Sequence, residues 1–247
     1  MSENKTIVLS LGGSILVPGP QASRGHRGKT PDFQFINTTF LDSFLLLMSE
    51  LTQQGRRLVI TVGGGRVNSV YVEALRRLGV SDNRILDNIG ITVTRVNANF
   101  LLQALFSYHI KVYPKVVASP HTTIRGDWPI IIGCGWKPGC STDYDAVLWA
   151  INRGAESLVN ASNISHVFTA DPRKDKNAKP ISLMSWADLR KLVGDRWEAR
   201  KNTPFDPIAA QLAQEHNIQV RVLDGNQITN LRDALEGKQF IGTTIKD

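Results

Sequence analysis

Cysteine is scarce in this chain of 247 residues, and long apolar runs are missing. The two cysteines, Cys134 and Cys140, are too few for a disulfide framework, which indicates a reducing compartment. No apolar run approaches the roughly 20 residues that a membrane-spanning helix needs. The apolar segment near the start, Ile7–Leu11, is interrupted by Gly12 and Gly13, which argues against a signal peptide. We therefore expect a cytoplasmic protein without a membrane partner.

The chain also lacks the motifs of common nucleic-acid-binding modules. It has no RNP-type sequence, no zinc-finger spacing and no block of consecutive like charges. Even so, 29 Lys and Arg residues outweigh 22 Asp and Glu residues, so the net charge is +7 and the sequence pI is about 9.6. A basic protein without these motifs is suited to small anionic ligands. We expect phosphorylated small molecules, and no nucleic acid, as partners.

Strands and helices alternate along the sequence. Short β-branched and apolar runs predict strands at 6–11, 57–62, 111–117, 130–132, 157–161, 219–223 and 242–245. Helical apolar spacing and capping residues predict helices at 35–54, 66–78, 91–108, 144–152, 185–193, 208–215 and 228–236. A short separate segment, 85–90, is expected to carry Asp87. This alternation predicts an α/β fold with a largely parallel sheet.

No linker, low-complexity segment or fixed-period repeat divides the chain. We therefore expect a single domain, 1–247, with two lobes. Residues 18–31 are rich in Pro, Gly and basic residues and contain no acidic residue, which is typical of a surface loop. Such a loop can stay solvated or fold over an anionic ligand.

The stretch 130–150, IIIGCGWKPGCSTDYDAVLWA, combines several features that suit an anion. A strand leads into a loop of Gly, Pro and Ser, and Ser141, Thr142 and Asp143 can each cap the helix that follows. A helix N-terminus presents unpaired N–H groups and a positive dipole, which favour phosphate. Lys137 adds a mobile positive charge. An ordinary strand–helix connection can share these features, so both interpretations stay open for this stretch alone.

Two other strands also run into glycines before a helix. The first is followed by Gly12-Gly13-Ser14 and the second by Gly63-Gly64-Gly65. Glycine permits positive φ angles and lets a ligand approach the backbone closely. Three such junctions in one chain favour a phosphate site built from loops at strand ends. The polar and basic segment 162–179 is compatible with a nucleotide or with a solvated run of charges.

Taken together, these stretches resemble the amino-acid kinase superfamily, and within it the archaeal-type uridylate kinases. The matching segments are IVLSLGGSILVP, VGGG, LDNIGITVTRVNAN, PGCSTDYDAV, NISHVFTADPRKDKNAKP, DPIAAQLA and GTTI, in family order and at similar spacing. They cover nearly the whole chain. The resemblance implies a three-layer α/β/α sandwich with a largely parallel central sheet and a homo-oligomer, specifically a hexamer. It also implies transfer of the γ-phosphoryl group of ATP to UMP, giving UDP, with Mg²⁺.

The resemblance also implies site residues, position by position. On the ATP side these are Gly12, Gly13, Ser14, Gly65, Ser162, Phe168 and Asp171. On the UMP side these are Gly64, Asp87, Trp136, Lys137, Pro138, Gly139, Cys140, Ser141 and Thr142. The candidate catalytic residues are Lys137 and Asp143, and no protein ligands to a metal are assigned.

The sequence departs from the family pattern at four places. Ser10 stands where many relatives have a lysine that neutralises the transferring group, although archaeal-type members also lack it. Ser69 replaces an arginine, Ser165-His166 replaces Asp-Gly, and Phe168 replaces a frequent tyrosine. The last three lie on the ATP side, so they bear on nucleotide affinity and rate more than on fold. Lys137 is the first candidate to replace the missing positive charge, followed by Arg66, Lys174 and Lys5.

Other functions on the same scaffold remain alternatives. Isopentenyl phosphate kinases carry a histidine in the glycine-rich loop, and GGGRVNSVY has none. Acetylglutamate and aspartate kinases need a carboxylate-binding site that the sequence does not reveal. A nucleotide-binding storage or regulatory protein, similar to the molybdenum-storage relatives, is the alternative from another class, although the five scattered histidines form no cluster suited to an oxometalate. A kinase for another small phosphorylated acceptor also stays open.

Overall fold

The computed structural model describes residues 6–18, 35–155, 157–194 and 203–247, so the predicted basic loop at 18–31 lies outside the described residues except for its first position. Within these ranges the strands are β1 (Thr6–Leu11), β2 (Arg57–Val62), β3 (Ile130–Gly133), β4 (Ser157–Ser162), β5 (Val167–Phe168), β6 (Pro180–Ile181), β7 (Leu183–Met184), β8 (Gln219–Asp224) and β9 (Thr243–Ile245). The helices are α1 (Gly13–Leu16), α2 (Thr38–Gln53), α3 (Gly65–Arg77), α4 (Asn83–Ser107), α5 (Thr142–Arg153), α6 (Trp186–Val193), α7 (Pro207–Glu215) and α8 (Ile228–Glu236). Among these described helices, none is both long enough and apolar enough to cross a bilayer.

A seven-stranded sheet runs through the described part of the chain in the order β3-β2-β1-β4-β8-β9-β7. Neighbouring strands are parallel except β8 and β9, which are antiparallel. β1 lies between β2 and β4, so Leu9 is opposite both Ile60 and Val159. Because parallel strands end at the same edge, the loops that follow β1, β2, β3 and β4 meet there. The predicted α/β fold with a largely parallel sheet is confirmed.

Helices cover both faces of this sheet and produce a three-layer α/β/α sandwich. Leu9 of β1 belongs to one buried cluster with Phe44 of α2 and Leu101 of α4. Val8, the residue before it, faces the other way into a second cluster with Trp149 of α5 and Phe205. Both faces of the central strands are therefore buried, and this is why these strands appear in the sequence as continuous apolar runs.

The segment 111–117, predicted as a strand, is not one in the structure. It lies beside β3, to which the N–H groups of Tyr113 and Val117 donate hydrogen bonds of 2.9 Å. The two donors are four residues apart, whereas their acceptors, Ile130 and Ile132, are two residues apart, and the chain bends at 114–115 between them. Only an isolated bridge forms at the end of the segment. The prediction of a strand here is wrong because the bend interrupts the ladder.

α4 is one continuous helix, whereas the sequence predicted a separate segment at 85–90 and a helix only after it. Asp82 caps the helix by accepting a hydrogen bond of 2.8 Å from Arg84 N. Gly90 does not end the helix, and a Cβ there would lie 3.2 Å from Oδ1 of Asn68 on α3. The glycine therefore serves close helix packing, and Asp87 projects from a helix instead of a loop.

Candidate functional site

The glycine loops after β1 and β2 are in direct backbone contact at the carboxyl edge of the sheet. A Cβ on Gly13 would lie 2.1 Å from Gly65 N, and one on Gly63 would lie 2.6 Å from Gly13 N. No side chain fits between the two loops. Gly65 also has a φ of +64°, a backbone conformation that glycine adopts without a steric penalty. We name this unit the glycine cradle, composed of Gly12, Gly13, Gly63, Gly64 and Gly65.

Neighbouring elements hold the glycine cradle in place. Asn97 of α4, a buried residue, donates from Nδ2 to the carbonyl groups of Gly63 and Gly64 at 2.9 and 3.2 Å. The N–H of Gly12 donates to the end of β4 at 2.8 Å, which brings Ser162 beside it. The sequence did not predict Asn97 as a site residue. The sequence feature that could have identified Asn97 is a side-chain amide at a position of α4 that faces the protein interior.

The remaining predicted ATP-side residues lie beside the glycine cradle or beyond it. Ser14 is in α1, which begins within the first glycine loop. Phe168 is in β5, and its ring meets the ring of His166 edge-on, with 6.2 Å between centroids. Asp171 accepts two hydrogen bonds of 3.0 Å from the guanidinium of Arg173, and this pairing lowers the pKa of the Asp171 carboxyl. The structure thus places Phe168 against the ring of His166 and pairs Asp171 with Arg173.

The loop between β3 and α5, residues 134–141, is tied to helices on both faces of the sheet. Asp87 of α4 accepts a hydrogen bond of 2.8 Å from Gly139 N. Asp145 of α5 accepts one of 3.1 Å from Trp136 N. We call this segment the β3–α5 loop. The structure therefore brings Asp87 together with the loop residues that the resemblance assigns to the same ligand.

Lys137 lies on the exposed side of the β3–α5 loop. Its Nζ is 4.2 Å from the centroid of the Trp136 ring, a cation–π contact. On the same ring, His121 makes a T-shaped contact with 5.1 Å between centroids. The ammonium group is therefore held at the loop by its neighbour's ring, with its charge open to solvent.

α5 begins where the β3–α5 loop ends. Ser141 is its N-cap and accepts a hydrogen bond of 3.1 Å from Tyr144 N, so of the three candidate caps the structure selects this one. Thr142 and Asp143 then occupy the first two helical positions. The first amides of a helix have no partner within it, and the helix dipole favours an anion there. The loop and the helix N-terminus together present N–H groups of the kind that suits an anion.

Asp143 lies at the centre of a polar cluster that joins four elements of the fold, α5, β1, β4 and α7. Its Oδ1 accepts hydrogen bonds from Ser10 Oγ at 2.9 Å and from Asn160 Nδ2 at 3.0 Å. Asp206, the N-cap of α7, is buried nearby. Burial, and then repulsion from Asp206, raises the pKa of the Asp143 carboxyl to about 7, although hydrogen bonds from Ser10, the Asp206 backbone and Asn160 oppose the shift.

A further carboxyl group, that of Asp145, lies two residues along the same helix. Burial raises its pKa to about 7 as well, against the hydrogen bond that it accepts from Trp136. Among the described residues, no Lys or Arg forms an ion pair with Asp143, Asp145 or Asp206. No ion pair among these residues therefore offsets the cost of burying the carboxyl groups.

The sequence predicted Asp143 but not most of its partners. Asp206 was predicted only as a helix cap, and Asn160 and Asp145 were not singled out. Two of these partners could have been found from the sequence, because Ser10 and Asn160 are polar residues near the carboxyl ends of largely apolar strands. Which polar residues contact each other depends on the strand order, and no local segment of the sequence determines that order.

Comparison with known proteins identifies the family of the chain. The profile of the Amino acid kinase family matches residues 5–224. A uridylate kinase from Methanocorpusculum labreanum is 33% identical over 242 residues, which span 97% of this chain and 94% of that protein. A uridylate kinase from Pyrococcus abyssi is 32% identical and covers 97% of this chain and 99% of its own length.

Solved structures give the same result for the fold. The crystal structure of uridylate kinase from Archaeoglobus fulgidus superposes with a TM-score of 0.73 at 27% identity and covers 97% of this chain and 99% of its own. A UMP kinase from Bacillus anthracis superposes with a TM-score of 0.72 over 98% of this chain and 96% of its own. At 22% identity, that second likeness concerns the fold alone.

The raised pKa of Asp143 predicts a pH-dependent cost in stability. Because its pKa is about 7 in the folded chain and about 3.8 ordinarily, the folded state retains a proton that the unfolded state has lost. Stability contributed by this group therefore falls as the pH rises from about 4 through about 7. The Asp143→Asn variant does not titrate, so its advantage over wild type in free energy of unfolding should be about 2 kcal/mol larger at pH 8 than at pH 5.

Urea unfolding of the ligand-free protein at both pH values measures this difference. The matched control is Gln53→Ala, which changes an exposed residue of α2 that has no titratable group. Its effect should therefore be the same at pH 5 and pH 8. An Asp143→Asn advantage that is equal at the two pH values would contradict the assignment.

Proposed function

The chain belongs to the amino acid kinase family, and from this premise we propose that it transfers the γ-phosphoryl group of ATP to UMP, giving UDP. One observation carries the proposal. A glycine cradle and a phosphate-suited loop lie at one edge of the sheet, and α4 contacts both, through Asn97 and Asp87 respectively. The similarity to uridylate kinases over 97% of the chain supports the same choice of acceptor.

The glycine cradle supplies the ATP side of this proposal. Backbone amides without side chains can approach polyphosphate closely, as phosphate-binding loops do in other folds. The residues assigned to the phosphates are Gly12, Gly13, Ser14 and Gly65. The residues assigned to the adenosine end are Ser162, Phe168 and Asp171.

The β3–α5 loop, with Gly64 and Thr142, supplies the UMP side. The loop amides and the N-terminus of α5 bind the monophosphate, because both present N–H groups to an anion. Asp87 uses one carboxylate oxygen to hold Gly139 N, which leaves the other oxygen to accept a hydrogen bond from a ribose hydroxyl. One side chain thereby links the sugar to the loop that holds its phosphate.

Phosphoryl transfer mainly needs alignment of the two substrates and neutralisation of charge. Asp143 fixes the side chains of Ser10 and Asn160 between the two binding regions, and Lys137 supplies a mobile positive charge. Among the described residues, no three His, Cys, Asp or Glu side chains are placed to hold a metal, which suits an ion held largely by nucleotide phosphates. Asp143 and Asp206 offer the hard carboxylate oxygens that Mg²⁺ prefers, and the ion would neutralise phosphate charge.

We further propose that the chain assembles into a homo-oligomer in the cytoplasm, as a hexamer by resemblance. Ile85, Val96 and Phe100 of α4 are exposed and follow one stripe of the helix, since their spacings of 11 and 4 are near whole turns. Tyr71 of α3, which packs on α4, and Leu78, the C-cap of α3, are also exposed. Exposed apolar side chains on neighbouring helices are typical of a subunit contact.

An acceptor panel tests the proposed reaction. Purified protein with Mg-ATP is incubated with UMP, CMP, dUMP, AMP or isopentenyl phosphate, and the phosphorylated products are separated and quantified. We expect UDP as the main product. Product from another acceptor instead would reassign the substrate. No product from protein that binds ATP would favour the nucleotide-binding storage or regulatory alternative.

Loss of the Lys137 charge should slow the reaction without unfolding the protein. We expect Lys137→Ala to lower kcat by about 100-fold, the typical effect of removing one transition-state charge. Because the side chain is exposed, its melting temperature should match that of wild type. Lys111→Ala is the matched control, since Lys111 makes the same kind of contact with Trp128, at 5.7 Å. Equal kcat in both variants would remove Lys137 from the mechanism.

A charge on the α4 stripe should disrupt assembly. Val96, which is 63% exposed, is replaced by glutamate, and the mass in solution is measured by light scattering. We expect a smaller species than the wild type forms, because a buried unpaired carboxylate is costly at an interface. Ile241→Glu, at a position 60% exposed outside α3 and α4, should leave the mass unchanged. A Val96→Glu variant of wild-type mass would exclude this surface as the contact.

A further inference from the structure

Asp145 has no role in the function proposed above, although it is the most deeply placed carboxyl of the site. The residue is fully buried, at 0% exposure. Its Oδ2 accepts the hydrogen bond from Trp136 N, whereas its Oδ1 has no partner in the described part of the chain. A buried carboxyl with one unsatisfied oxygen costs stability, so core packing does not explain this residue.

The same face of α5 supports the chain as it leaves β3. Trp149 lies one turn after Asp145, and residues four apart share a helix face. A Cβ on Gly133, the last residue of β3, would lie 2.9 Å from Trp149 Nε1. The end of the strand therefore rests on Trp149, and three residues later the loop is fixed by Asp145. Together they set the direction in which the β3–α5 loop leaves the sheet.

The β3–α5 loop is anchored by one carboxylate on each face of the sheet. Asp145 belongs to α5, whereas Asp87, which holds Gly139, belongs to α4 in the opposite layer. The hydrogen bond from Trp136 to Asp145 also positions Lys137, because the Lys137 ammonium lies over the Trp136 ring. Without it, the loop would keep the bond of 2.9 Å from Gly135 N to Thr94 Oγ1 of α4 and the Asp87 anchor, and Trp136 would lose its hydrogen bond to α5.

We propose that Asp145 is a positioning residue for the phosphorylated acceptor. Its hydrogen bond to the Trp136 N–H holds the β3–α5 loop in the conformation that binds the acceptor phosphate. Asp145 does not touch the reacting atoms, and the glycine cradle is held by other contacts, from Asn97 and β4. This inference rests on the proposed function and adds a residue that determines acceptor affinity independently of ATP affinity.

Two variants of similar shape test the inference. Asp145→Asn keeps an oxygen that can accept from the Trp136 N–H, whereas Asp145→Leu fills the same space without an acceptor. We expect the leucine variant to raise the KM for UMP about 10-fold, the effect of losing one buried hydrogen bond. Its KM for ATP should stay within about twofold of wild type, and the asparagine variant should recover most of the UMP affinity. Initial rates with each substrate varied in turn provide both constants.

Each outcome has a distinct meaning. A leucine variant that melts at a lower temperature but keeps both KM values would show a merely structural role and overturn the inference. Equal increases in the KM for UMP and for ATP would also overturn it. If the leucine variant does not unfold cooperatively, Asp145→Ser replaces it with the same expectations, because the shorter hydroxyl cannot reach the Trp136 amide. A wild-type chain that forms no UDP would instead refute the proposed function.

Discussion

The contact between the two glycine loops is the constraint on which the site depends. β1 and β2 are adjacent and in register through Leu11 and Val62, so the chain leaves both strands at the same height. Any side chain at Gly13 would collide with the second loop, where Gly65 N lies 2.1 Å from the Cβ position. Glycine at these positions lets α1 and α3 both begin at the edge of the sheet. The helix N-termini and the free amides of the site follow from that close approach.

The buried acidic cluster at the site is a second constraint, and it lowers stability. Asp143, Asp145 and Asp206 share a small volume, and burial with mutual repulsion raises the pKa of the first two to about 7. A core built for stability alone would replace them with apolar residues. Among the described residues no Lys or Arg forms an ion pair with these carboxyl groups. Their burial at the edge where the loops meet therefore lowers stability without a compensating ion pair in that part of the chain.

Local sequence patterns predicted most of the architecture. Apolar runs, helical spacing and capping residues identified β1, β2, β3, β4, β8 and most helices. The two errors had different origins. At 111–117 the apolar residues suggested a ladder, whereas the chain bends locally at Pro114. At 85–90 a separate segment was predicted, whereas Gly90 lies inside α4 and close to Asn68 of α3, a packing partner that the local sequence does not reveal.

The sequence by itself determined the α/β class, the three glycine-containing junctions and, through resemblance, the family with its expected site residues. These are properties of short segments: periodicity, φ freedom and capping depend on neighbours within a few positions. Only the tertiary structure decided which segments meet. Asp143 binds Ser10 across 133 residues, and Asp87 binds Gly139 across 52. Those contacts depend on the strand order and on the layer to which each helix packs. Both are set by burial of the whole sheet, because the free energy of covering its two faces belongs to all the elements together.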